Sequence, residues 1–525
     1  MTPRVRRWTG LAVLVLPVLL ISIDMSVLGF AVPALSEDLA PSSSQLLWII
    51  DIYSFLLAGL LVLMGNVGDR IGRRRLLMIG AGAFGAASVL AAVSTSPEML
   101  LAARALLGVG GATLMPSTLS LIRTIFQDPR EHTMAIAVWG SAFAGGSAVG
   151  PILGGFLLEH FWWGSVFLIN VPVMVLLVVG ALLFLPESRN PAPGPFDVLS
   201  ALLSISGMLT LVYGLKAFGK DGLSAVAVGT VLIGIVLLVV FVRRQLGLAE
   251  PLLDVRLFAR RTFSVAVVTN LLSVFAFLGM LFFLPQYLQL VVGMSPLEAG
   301  LWILPLAVAT IVGALVAPRL AARLPMSLVV GGGMLLAAAG FLVATFLSSD
   351  GELALLLVAG VFAGAGVGLA ETLTVDAIVS SAPQERAGGA AAISETAYEF
   401  GGAMGTAVLG TLGLAVYRSS LADGAPEGVP AAALEAAQQT LGGAEHVAAD
   451  LPAGLVEPFL DVAHQAFASG QSLVFGVATV VCAYAGVQAL VLLRRPGRRS
   501  HGSAGGQDDG PTATDRAEPR REYAR

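Results

Sequence analysis

Long apolar runs, each closed by a short polar or basic stretch, repeat along the chain from Leu11 to Leu493. Fourteen runs are long enough to cross a bilayer, which takes about 20 apolar residues as an α-helix. They lie near 11–33, 46–66, 76–94, 99–121, 133–158, 163–185, 197–217, 225–242, 263–289, 299–318, 326–347, 353–380, 390–417 and 471–493. The pattern predicts an all-α integral membrane protein with 14 transmembrane helices. The basic residues set its orientation. With both termini in the cytoplasm, 26 of the 30 Lys and Arg fall on the cytoplasmic side, while Lys216, Lys220 and Arg418 fall outside and Arg104 lies within a helix. This is the positive-inside bias, and an odd number of spans would break it. The first run follows Arg4, Arg6 and Arg7 like a secretory leader. It reads instead as a spanning helix, because it is too long for a leader and carries Asp24.

The spacing of the runs predicts six helices, then two, then six: residues 1–185, a linker with helices seven and eight at 186–261, and 262–493. The loop at Gly65–Arg75 returns in decayed form at Gly313–Pro325, which supports two related halves. Between helices thirteen and fourteen, residues 419–470 hold seven acids and no Lys or Arg. Helical spacing at Pro430–Leu441 and Ala453–Ala468 predicts an outward-facing helical hairpin there. The Gly-, Arg- and Asp-rich tail, 494–525, is expected to be disordered.

Composition narrows the function classes. Only 12% of the residues are charged and 56% are hydrophobic, against about 25% charged in soluble domains. The basic residues are spread over one face, so no nucleic-acid patch is expected. Cys482 is the only cysteine and the five histidines lack metal-ligand spacing, so neither a disulfide nor a metal site is expected. Gly214 to Lys220 imitates the start of a phosphate-binding loop, but Asp221 stands where Ser or Thr is required and the stretch follows a helix. No ATP and no cofactor are therefore expected. The energy source would be the proton gradient, whose electrical component supplies about 2.3 kcal/mol per charge per 100 mV.

The candidate chemistry is carboxylic. Asp24, Asp51, Glu371, Asp376, Glu395 and Glu399 lie within or at the edge of apolar spans. An acid at mid-bilayer costs about 2.5–3.5 kcal/mol and marks a functional site by default. Glu395 and Glu399 are four apart and share a helical face. Two such carboxylates repel when both are ionised, so one is expected to hold a proton, which a cation can displace. Against this stands the plainer reading of hydrogen-bonded structural carboxylates, strongest for Asp376 and Glu371.

Four local motifs accompany the acids. The loop GNVGDRIGRRR holds Gly65, Asp69, Arg70, Gly72 and Arg73. Helix four carries Arg104 with Gly108, and snorkelling to the interface competes with any buried role for the arginine. Helix five carries Gly146, Gly150, Pro151 and Gly154, a small-residue face that admits a close neighbour. Helix one reads IDMSVLGFAVP, Ile23–Pro33. Together these resemble the major facilitator superfamily, and within it the fourteen-helix drug:H⁺ antiporters. Ser26, Gly29, Val67 and Leu107 depart from the usual Thr, Asn, Leu and Gln.

The resemblance implies a proton-coupled exporter of lipophilic, mostly cationic drugs, such as quaternary ammonium compounds, dyes and fluoroquinolones. It implies coupling or cation binding at Asp24, Asp51, Asp376, Glu395 and Glu399. It also implies a latch between Asp69 and the start of helix thirteen near Gly388 and Gly389, proton transfer at Arg104, and an antiporter motif in helix five. Phe143, Phe275, Phe277, Tyr287 and Tyr398 are candidate cavity walls, with core packing the competing role. The alternatives are a proton-coupled transporter of one metabolite or self-made antibiotic, and a non-transporting sensor. Drugs, protons and the bilayer are the expected partners of a monomer in the plasma membrane, and no enzyme activity is expected.

Overall fold

The computed structural model describes residues 3–189, 197–221, 224–248, 251, 255–349, 351–381 and 387–493. Among them the chain is helical throughout: α1 (Pro3–Leu39), α2 (Ser43–Ile71), α3 (Arg73–Ala92), α4 (Pro97–Ile125), α5 (Pro129–His160), α6 (Ser165–Leu168), α7 (Asn170–Phe184), α8 (Val198–Asp221) and α9 (Ala225–Gly247). Then follow α10 (Arg261–Gln286), α11 (Pro296–Ala321), α12 (Met326–Ala344), α13 (Leu353–Ser380), α14 (Ala387–Gly424), α15 (Ala431–Ala437), α16 (Leu441–Ala448) and α17 (Ala453–Leu492). Thirteen described segments are long and apolar enough to cross a membrane, with α6 and α7 counted together as one of them. α5, at 32 residues, also exceeds the length a crossing needs. The tail at 494–525 and the linker at 190–196 lie outside the described residues.

Serine caps start the helices that enter from the face poor in basic residues. Ser42 and Ser295 form capping boxes with Gln45 and Glu298, and Ser96 and Ser224 accept from Met99 N and Ala227 N. The sixth span breaks at Ile169, between α6 and α7. Pro172 lacks the amide that would bond the Leu168 carbonyl, so the ladder opens there.

Three local expectations are corrected. The stretch Gly65–Arg75 is almost wholly helical, with Gly72 as the one break between α2 and α3. Residues 453–468 do not form a hairpin arm. They are the first turns of the 40-residue α17, and the insertion between α14 and α17 is only α15 and α16. Gly470, just beyond this stretch, seats α17 directly against the Gly413 backbone of α14. Gly214 to Asp221 is the end of α8, and Gly214 packs on Val231 of α9.

α1 packs on α5, α7 and α4, and α3 lies against α4 and α7. α10 packs on α13, α14 and α17, while α11 and α12 flank α13. The two sets meet where α5 touches α11, α2 touches α14 and α1 touches α10. α8 lies against both α2 and α14, with α9 packed on its outer side. At one end of this pair, Asp197 accepts from Arg244 (2.9 Å) and from the Ser200 hydroxyl (2.5 Å). Burial works to raise the Asp197 carboxyl, but these bonds hold it below its ordinary value. The insertion of α15 and α16 joins both sets. The Ser43 hydroxyl donates to Gln439 O (2.5 Å) and the Tyr417 hydroxyl to Ala437 O (2.9 Å).

Candidate functional site

Asp24 sits mid-way along α1 and is 4% exposed. Arg104 of α4 reaches it, with Nη1 at 2.9 Å from Asp24 Oδ2. The arginine Nε donates to the Ile49 carbonyl of α2 at 3.1 Å. The rings of Tyr53 and Phe167 flank its guanidinium at 4.6 and 6.0 Å. At 2% exposure, Arg104 does not snorkel. The break at Ile169 brings in Asn170, whose amide donates to Asp24 Oδ1 (3.4 Å) and to Ser88 Oγ (3.1 Å). Several kcal/mol per ion are lost when such charges leave water, and only pairing with further hydrogen bonds offsets that. Asn170 and Tyr53 were not legible as site residues. Their signals were a lone polar residue and a lone tyrosine within apolar runs.

A second group of acids lies on α14 and α13. Glu399 is 1% exposed, and among the described residues no cationic side chain is paired with it. Ser54 of α2 is the polar side chain that approaches it, as a hydrogen-bonding neighbour across the α2–α14 seam. Across the same α2–α14 seam, Phe55 meets Phe400 edge-on at 6.4 Å, with Trp48, Met404 and Leu209 around them. Glu395 and Glu371 are half-buried and act on each other electrostatically, and Tyr398 stands within reach of Glu371, Glu395 and Glu399. Asp51 is buried on α2, three residues before Ser54. Asp376 is exposed near the end of α13 and does not join this group among the described contacts.

More polar atoms gather nearby without partners. Thr269 Oγ1, Asn270 Oδ1 and Ser273 Oγ of α10 are buried and unpaired among the described residues, as is Thr396 Oγ1 of α14. Asn270 makes one long bond, 3.4 Å, to Thr374 of α13. Tyr287 is no cavity wall. It is wholly buried and its hydroxyl donates to Ser348 O at 2.7 Å, which anchors α10 to the loop before α13. The Phe143 side chain lies outside the described residues.

The glycines of α5 bring two backbones together. A Cβ at Gly146 would sit 2.6 Å from Leu19 O, and one at Gly154 would sit 2.9 Å from Val27 Cγ1. Gly150 faces Ser26. Gly155, on another side of the helix, packs on Leu297 of α11, and Gly300 of α11 lies on the Pro151 carbonyl. α5 thus contacts α1 on one side and the opposite helix set on another. Gly108 plays the same part for α4, seated on the Tyr53 carbonyl of α2.

Gly72 has φ +107°, a conformation that L side chains rarely adopt. Glu187, just after α7, fills the space where its Cβ would be. Glu187 Oε1 accepts from Arg74 N (3.1 Å), and Arg73 N donates to Ser188 O (2.9 Å). The Asp69 side chain lies outside the described residues, as does any contact it makes with Gly388 and Gly389. The partner seen for this turn is Glu187, which sequence reasoning missed. It looked like an ordinary linker acid.

A bundle of spanning helices in two sets, with acids buried along the seam between them, defines a multi-pass membrane transporter and not an enzyme. The sequence matches the Major Facilitator Superfamily over residues 14–406, and the chain belongs to it. It is 47% identical to the multidrug efflux pump LfrA of Mycolicibacterium smegmatis, over 93% of this chain and 97% of that one. It is 39% identical to the methyl viologen resistance protein SmvA of Salmonella typhimurium, over 88% and 93% of the two chains. It is 35% identical to the tetracenomycin C resistance and export protein of Streptomyces glaucescens, over 93% and 92%. Among solved structures, an inward-facing bacterial homologue of the human lysosomal transporter Spinster superposes with a TM-score of 0.63 at 17% identity, over 94% of this chain and 99% of that one, a likeness of fold.

Proposed function

We propose that the chain is a proton-coupled antiporter that exports lipophilic cations, quaternary ammonium compounds and dyes among them, from the cytoplasm. It would work in the plasma membrane with both termini inside and no nucleotide. One observation carries the reading: Glu399 is buried on the seam between the helix sets, and among the described residues no cationic side chain is paired with it. An ionised carboxylate cannot stay so in hydrocarbon, so it calls for either a proton or a cation. Exchanging the two is antiport. The rings of Phe55, Phe400 and Trp48 beside it offer apolar faces and π-electrons to an organic cation. The similarity to a multidrug efflux pump and to a methyl viologen resistance protein supports the same substrate class, since methyl viologen is a quaternary bipyridinium.

Asp24 takes a different part. Its charge is already neutralised by Arg104, so it holds the first helix set in register and Glu399 exchanges its ion. A substrate peculiar to one self-made antibiotic is the second reading, favoured by the similarity to a tetracenomycin C exporter. Ethidium retention in energised cells that lack their own pumps separates these. Cells with the wild-type chain should retain several-fold less dye, a protonophore should abolish the difference, and Glu399→Gln should remove at least nine-tenths of the export. Equal retention with and without the chain would overturn the reading.

A further inference from the structure

From Arg243 to Arg261 the chain holds five arginines against two acids, Glu250 and Asp254. Arg244 is paired with Asp197. The other four gather where α9 ends and α10 begins. Ala225–Gly247 and Arg261–Val291 are both long and apolar enough to cross a membrane, so the corner between them lies at the depth of lipid headgroups. A short 3₁₀ turn, Val255–Ala259, packs there on both helices. Three of the guanidiniums are held by carbonyls at helix ends. Arg256 Nη2 donates to Leu246 O of α9 at 3.1 Å, Arg261 Nη2 to Val491 O of α17 at 3.5 Å, and Arg260 Nη1 to Ser381 O just beyond α13. Helix C-termini attract cations, and a guanidinium carries five N–H donors, so one such bond fixes it and leaves donors for another acceptor. All three residues are exposed, as is Arg243 on α9, one turn before Leu246. Arg243, Arg260 and Arg261 have no carboxylate partner among the described residues. Two apolar side chains stand exposed beside them, Leu246 at 46% and Phe258 at 42%. Phe258 is held edge-on to Phe263 at 5.2 Å.

We propose that this corner binds the headgroup of an anionic phospholipid such as phosphatidylglycerol, its phosphate among Arg243, Arg256, Arg260 and Arg261 and its acyl chains along Leu246 and Phe258. The charge and the place both select this ligand. Guanidiniums bond phosphate oxygens in pairs, and here they are fixed in advance by the helix ends. A free phosphate would make the same bonds but would gain nothing from Leu246 and Phe258. A neutral lipid would meet the apolar groups and leave the positive charge unanswered. The bound lipid ties the ends of α9, α10, α13 and α17 together, and so joins the α8–α9 pair to the second helix set. On the orientation proposed above, it is drawn from the cytoplasmic leaflet. The site does not depend on which cargo is carried or on what drives it.

The test titrates the full chain, in uncharged detergent, with short-chain phosphatidylglycerol or phosphatidylcholine and counts bound lipid by native mass spectrometry. Phosphatidylglycerol should bind roughly tenfold tighter or more, since each basic residue at an anionic surface is worth about fivefold in affinity. Arg243→Gln is the cleanest variant, because Arg243 makes no hydrogen bond or ion pair among the described residues and its loss leaves the fold intact. It should weaken phosphatidylglycerol about fivefold and leave phosphatidylcholine unchanged. Arg260→Gln should do the same. Arg323→Gln removes an exposed charge just beyond α11, away from the corner, and should leave both affinities at the wild-type value. Inorganic phosphate should fail to displace the lipid. Equal affinity for the two lipids would overturn the proposal, and so would displacement by inorganic phosphate, which would mark a site for the free ion. A loss in Arg323→Gln as large as that in Arg243→Gln would also overturn it, by reducing the site to the diffuse attraction of any basic surface.

Discussion

The pairs α1–α4 and α10–α13 occupy corresponding places in the two helix sets, and they are joined by different chemistry. In the first, Asp24 meets Arg104 in an ion pair, with Asn170, the Ile49 carbonyl and two aromatic rings around it. In the second, Asn270 makes a single 3.4 Å bond to Thr374, and hydroxyl and amide oxygens around it lack partners among the described residues. Glycines close the neighbouring contacts alike: Gly146 seats α5 on α1, and Gly401 and Gly405 seat α14 on Leu271 and Phe275 of α10. The backbone plan is shared while the charge is distributed unequally. On the function proposed above, a carboxylate that owns a guanidinium serves as a structural part, and one without, such as Glu399, keeps bonding capacity for a mobile ion.

The comparison is most sharply broken at Arg104. Arg104→Ala strands an ionised Asp24 in the interior, and losing one partner of a buried pair costs about 3–5 kcal/mol. Thermal unfolding in detergent should show a large drop, and Asp24→Asn combined with Arg104→Gln should recover much of it. A single variant as stable as wild type would end the distinction between a locked and an exchanging acid. Gly146→Leu comes next. It forces α5 away from α1, and overpacking of this kind costs about 1–3 kcal/mol. Its unfolding midpoint should fall, and cross-linking between the ends of α5 and α11 should change with it. The smallest effect is expected at Asn270→Ala. One long neutral bond contributes about 1 kcal/mol or less, so the variant should unfold near the wild-type midpoint. A loss as large as that of Arg104→Ala would mean that the second helix set is locked too.

The class, the spans and most acids were legible in the chain. Local hydrophobicity fixes them: a run of twenty apolar residues has one stable fate in a bilayer, whatever it packs on. Helix limits were less legible. The spacing at 453–468 reads as a separate arm, yet the helix runs straight on into α17 even with Pro458 in its second turn, where a proline removes few ladder bonds. The turn between α2 and α3 was readable as far as Gly72, whose positive φ only glycine meets easily. Glu187, more than a hundred residues away, was not.

Arg104 marks the limit. Along the chain it stood a few residues from a helix end, and snorkelling and burial were equally open. Which one holds depends on whether α1 presents an acid at the right depth and α2 a carbonyl and a ring beside it, and those are distances between helices far apart in sequence. Sequence alone settled that charges would lie in hydrocarbon, because transfer energy is a property of each residue. Tertiary structure alone decided which charges find a partner, because Coulomb attraction and hydrogen bonding act over a few ångströms between elements that only the fold brings together.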